Sequence, residues 1–127
     1  MPGKHVFEYA VVRVVPRVER EEFMNVGVIL YCKKLNFLQA IITVDEDRLC
    51  CFTNREDVQE IKANLYAFDQ ICQGSPESGP IGTLDEASRF RWLTATRSTV
   101  VQASKVHPGL CTNPLQTLIR LHTQLVL

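Results

Sequence analysis

One arginine, Arg13, stands inside an otherwise apolar run, HVFEYAVVRVVP at residues 5–16. Taking a guanidinium out of water is costly unless carboxylates, carbonyls or an anion meet it. Far along the chain, Arg97-Ser98-Thr99 sets a planar donor fork beside two hydroxyls, a combination suited to a carboxylate or phosphate. His107 follows, separated from Cys111 by a Pro108-Gly109 pair. A binding site for an anionic group is therefore assigned to Arg13, Arg97, Ser98 and His107. Two plainer readings compete with it: pairing of Arg13 with Glu8, Glu21 or Glu22, and a solvated helix face for Arg89 and Arg91. A Cys–His nucleophile would need a thiolate and a third, orienting group. No such orienter is evident between His107 and Cys111, and no catalytic residue is assigned. The carboxylates of DEDR, residues 45–48, suit a helix start as well as a metal. With no Walker loop, GxGxxG or HExxH, neither a metal ligand nor a cofactor is assigned. His122 reads as a core-edge histidine satisfied by hydrogen bonds. Trp92 and the tyrosines form no evident stacking platform for single-stranded nucleic acid.

Asn25 and Gly27 pose a different question, because both weaken a strand and both sit in the run FMNVGVILYC. Asn25 is placed at a strand entrance, with its amide on nearby backbone. Gly27 is placed at a bulge or at a close approach of another backbone. Room for a ligand or partner chain is the functional alternative for Gly27.

The elements that must position these residues follow from periodicity. In residues 5–16, Phe7, Tyr9, Val11, Arg13 and Val15 fall on one face of a strand, and Val6, Glu8, Ala10, Val12 and Val14 on the other. Apolar residues on both faces place this strand in the centre of a sheet. NVGVILYCK is a second strand and FLQAIITVD a third, joined by a short turn in which Asn36 suits a left-handed conformation. Asp45 caps a short helix. Asn54 and Gly74 bracket a long one, whose Val58, Ile61, Leu65, Phe68 and Cys72 form an apolar stripe. Residues 74–82 read as a mobile loop. Thr83 and Glu86 offer a capping box for a helix through ASRFRWL. RSTVVQAS is a fourth strand, and Pro108-Gly109 reads as the centre of a type II turn, with Gly109 at its left-handed position. Asn113 and Pro114 open a last helix that turns Leu115, Leu118, Ile119, Leu125 and Val126 inward. The order β-β-β-α-α-β-α gives an α+β fold: an antiparallel sheet of about four strands with about three helices covering one face.

The 127 residues are read as one domain, 1–127, with 46% hydrophobic residues, enough for one core. Fourteen basic residues balance fourteen acidic ones, so no global field draws the chain to nucleic acid or anionic lipid. Apolar runs are too short to span a bilayer, and the start, MPGKHVFEYA, lacks a signal-peptide core. Five cysteines without a CxxC indicate reduced thiols, most of them buried, and a cytoplasmic location.

Three segments taken together, YAVVRVVPRVEREEFMNVGVILYC, RFRWLTATRSTVVQ and VHPGLCTNP, resemble an uncharacterised bacterial family, the domain of unknown function 3037. The likeness runs almost end to end and includes GPIG before the tryptophan helix. One position departs from it: Thr96 stands where the family pattern places a proline before Arg-Ser-Thr. The resemblance implies no established activity. It does imply a partner, since members tend to be encoded beside HipA-like kinase-fold proteins. The functional expectation is a non-enzymatic module that binds such a protein. The alternative is a small enzyme or ligand sensor acting on a phosphate or carboxylate.

Overall fold

The computed structural model describes residues 3–16, 22–51, 53–95 and 99–127. Along the chain come β1 (His5–Val14), β2 (Met24–Cys32), β3 (Phe37–Ile42), α1 (Glu46–Cys50) and α2 (Arg55–Gln73). A 3-10 turn (Pro76–Ser78) and α3 (Gly79–Gly82) precede α4 (Glu86–Thr94), β4 (Val101–Ala103), β5 (His107–Cys111) and α5 (Pro114–Leu125). The fold is α+β with an antiparallel sheet. The strand order is β3-β2-β1-β4, and β5 also pairs with β1. β1 is thus central, as its two apolar faces require.

Alternation along β1 and β2 divides the core in two. Ala10, Val12, Val14, Ile29 and Tyr31 meet the α2 stripe of Val58, Ile61, Leu65, Phe68 and Cys72, together with Phe90 and Leu93 of α4. Phe7, Val28, Leu30, Cys32 and Cys111 meet Leu118 and Leu121 of α5 on the opposite side. The helices therefore cover both faces, not one: a central strand that is apolar on both sides needs a helix on each. The buried stripe of α5 is Pro114, Leu118, Leu121 and His122. Leu115 and Ile119, expected inside, are 44% and 49% exposed.

Local signals set the helix ends. Asn54 Oδ1 accepts from the Asp57 N–H at 2.9 Å, and Gly74 closes α2 in the left-handed conformation at φ 68°. Asn113 caps α5 through the Gln116 N–H, with Pro114 in the first turn. Asp85, rather than Thr83, caps α4 by accepting from the Ser88 N–H at 2.8 Å. The Thr83 hydroxyl instead donates to the Pro80 carbonyl at 2.6 Å, so the expected capping box does not form. Within residues 74–82, read as a loop, the 3-10 turn and α3 lie back to back.

The last part of the sheet departs most from expectation. Pro108 and Gly109 lie inside a strand, paired with Glu8 and Phe7, and no type II turn is made there. Gly109 is needed for space: a Cβ on it would lie 2.5 Å from Cζ of Phe7. The fourth strand, expected over RSTVVQAS, is observed as β4 on residues 12–14 of β1, and a fifth strand, β5, lies on residues 5–9 where a turn was expected. Ser104 sits at the break. Its N–H donates to the Val11 carbonyl and its Oγ accepts from the Val11 N–H, both at 2.8 Å, so one side chain takes over a ladder bond.

Thiol environments are unequal. Cys32, Cys72 and Cys111 are buried, while Cys50 and Cys51 are exposed. Burial, reinforced by the Asp69 charge, pushes the Cys72 thiol up to about 12. Cys32 and Cys111 share the α5-side core but lie on strands that flank β1 on opposite sides. Their thiols nonetheless interact across β1, and the Cys111 thiol is raised first by burial and then by Cys32. Native-state alkylation followed by peptide mass spectrometry should therefore modify Cys50 and Cys51 and spare the other three until denaturant is added. Labelling of Cys72 as fast as Cys50 would contradict this packing.

Candidate functional site

β1 presents Arg13 opposite Asn25 of β2 and Gln102 of β4, which puts its side chain on the α5 side of the sheet. The guanidinium carbon lies 4.3 Å from the ring centroid of Phe23, a cation–π contact with an aromatic that is itself 49% exposed. Among the described residues, the buried Arg13 Nε and the buried Asn25 Oδ1 have no hydrogen-bond partner. An unpaired donor and an unpaired acceptor thus occupy cross-strand neighbours on one face. The Asn25 amide nitrogen donates to the Leu125 carbonyl at 3.2 Å, tying the end of α5 to β2. Glu8 belongs to the opposite face of β1 and does not share this surface; Glu21 lies outside the described residues.

Asn25 and Gly27 bracket a bulge. Val12 pairs with Gly27 and Arg13 with Asn25, leaving Val26 as the extra residue. A Cβ on Gly27 would stand 2.7 Å from the Ile41 carbonyl oxygen and 2.9 Å from Cγ1 of Ile42. The glycine permits the close approach of β3, and the bulge returns Asn25 to the face that carries Arg13.

His107 is exposed and faces Tyr9, the two rings 5.3 Å apart and inclined at 37°. Tyr9 and Arg13 share a face but are four strand residues apart, about 13 Å. The fold therefore does not bring His107 to Arg13. The same spacing separates His107 from Cys111 along β5, and burial raises the Cys111 thiol, so they make no nucleophilic pair. Arg97 and Ser98 lie outside the described residues. Arg89, read as solvated, donates from Nη1 to the Leu84 carbonyl at 2.6 Å. His122 is buried and hydrogen-bonded to Thr43 Oγ1 at 2.9 Å. Asp45 caps α1, and Glu46 pairs with Lys62.

Two features are not signalled by residue type. The first is a cleft of about 290 Å³ between α2, α4 and β4, walled by Phe68, Trp92 and Leu93 with Asn64, Thr99 and Gln102 at its rim. The second is a ledge. Val6 and Leu110 face each other across β1 and β5 on the α2/α4 side, with Pro108 beside them. The two are 62% and 63% exposed and lie outside the cluster that packs against the helices on that side. Val6 sits in the right period for the core, so only the tertiary arrangement could reveal its exposure.

The profile of the proteins of unknown function called DUF3037 matches residues 9–126. The chain belongs to that family. No curated protein and no solved structure is significantly similar to this DUF3037 chain. No helix among the described residues is long and apolar enough to cross a membrane.

Proposed function

We propose that this DUF3037 chain is a protein-interaction or regulatory module whose partner is a HipA-like kinase-fold protein. The observation that supports the reading is the Val6–Leu110 ledge: two large aliphatic side chains directly opposed on a sheet surface and more than half exposed. A partner covering these two side chains would take their apolar surface out of water, which favours association. Co-expression with a HipA-like kinase-fold protein should give one complex on size exclusion. Separate elution of the two proteins at micromolar concentration would remove the proposal.

A second reading rests on the unpaired Arg13 Nε. Beside the Phe23 ring, this guanidinium would take a phosphate or carboxylate from the α5 side of the sheet. Isothermal titration with inorganic phosphate should show binding that Arg13→Lys reduces, since a point charge does not replace a fork. No heat of binding to the wild-type chain, or equal binding by Arg13→Lys, would exclude this reading.

A further inference from the structure

The strand order leaves β3 at an edge. The Thr43 N–H donates inward to the Val26 carbonyl at 2.7 Å, so by alternation the backbone groups of Leu38, Ala40 and Ile42 point outward. Among the described residues none of those outward groups has a hydrogen-bond partner. Edge strands are commonly protected by lysine, proline or a bulge. β3 reads FLQAII and carries none of these. It is a bare template for another strand.

The helix above it indicates which strand. Lys62, Leu65, Tyr66 and Asp69 of α2 overhang Ala40, Ile42 and Val44, forming a groove along the open edge. Tyr66 is 63% exposed and sits between Lys62 and Asp69, about one turn away on either side. Asp69 is partly buried, accepts from Gln73 Nε2 at 2.6 Å, and has no cation against it among the described residues. Burial holds its carboxyl above the usual range. Among the described residues, Lys62 is ion-paired with the exposed Glu46, a pair of little worth that is easily redirected.

We propose that the chain forms a two-fold dimer in which β3 pairs antiparallel with β3 of a second copy and the two α2 helices lie side by side. A two-fold axis at Ala40 sets Ala40 against Ala40 and Leu38 against Ile42, each pair exchanging the outward backbone bonds. The same axis passes near Tyr66 and carries Lys62 of one copy to Asp69 of the other. An interface of this kind must be self-complementary. A strand with its outward groups centred on a small residue, under a helix with opposite charges at either end of a tyrosine, meets that condition. A strand from an unrelated protein finds no such match in the groove.

Sedimentation equilibrium of the intact chain tests the proposal, with amide exchange as a second readout. The wild type should sediment at twice the chain mass, with slow exchange at Ala40 and Ile42. Asp69→Lys should weaken the dimer by roughly tenfold or more, because like charges then face each other twice. Adding Lys62→Glu to Asp69→Lys should restore it. Tyr66→Glu, at an exposed position, gives a second disruption independent of Asp69. A wild-type monomer at micromolar concentration overturns the proposal, as does a dimer indifferent to both Asp69→Lys and Tyr66→Glu. Pairing of β3 with a different protein's strand while the chain itself stays monomeric also overturns it.

Discussion

Leu118→Ala is expected to lower the unfolding free energy by about 2–5 kcal/mol, the range for emptying a well-packed aliphatic site. Leu118 has no exposed surface and stands where α5 meets Phe7, Val28 and Leu30. Leu65→Ala should cost a similar about 2–5 kcal/mol on the other face, where Leu65 is 3% exposed in the α2 stripe. The sheet stands between the two sites, so the double variant should lose close to the sum. Urea unfolding of the four proteins measures this. If Leu118→Ala is nearly neutral while Leu65→Ala is not, α5 does not close a second core, and the two-sided architecture is wrong.

Gly27→Ala should be destabilising by about 1–3 kcal/mol, although alanine ordinarily stabilises by restricting the unfolded chain. The opposing term is steric. The new methyl would lie 2.7 Å from a backbone oxygen of β3, and backbone cannot turn aside as a side chain can. β3 would have to move away from β2, disturbing the pairs from Gly27–Ile42 to Cys32–Phe37. A melting temperature equal to or above that of the wild type would show that the strands are not this close at the bulge.

The parts of this fold legible in the sequence are those set by neighbours along the chain. Asn54 and Gly74 bracket α2 because a cap and a left-handed stop act within one turn. Asn36 adopts φ 50° in the β2–β3 turn for the same local reason. Thr83 and Asp85 are both competent caps two residues apart, and the choice fell to Asp85 because Pro80 holds the threonine hydroxyl. Pro108-Gly109 was misleading because its conformation is set by Phe7, a hundred residues away, whose ring needs the space a glycine leaves. The two-sided apolar pattern of residues 5–16 already implied helices on both faces. α5 packs on the side away from α2 and α4, which turns Leu115 and Ile119 outward. The polar groups were harder still. The separation of Arg13 from His107 is set by the β1–β5 register, which places His107 opposite Tyr9, and the meeting of Arg13 with Asn25 depends on a bulge at Val26 that residue types mark only through Asn25 and Gly27.

The proposed function makes the ledge the contact surface, and calorimetric titration of the kinase-fold protein with wild-type and Leu110→Lys chains tests that directly. Leu110 is 63% exposed, so a lysine there should leave the melting temperature essentially unchanged while placing a charge in the contact. The account predicts binding by the wild type and a loss of roughly tenfold or more in affinity for Leu110→Lys, as for a residue at the centre of an interface. Equal affinity of the two chains, with both folded, would contradict it.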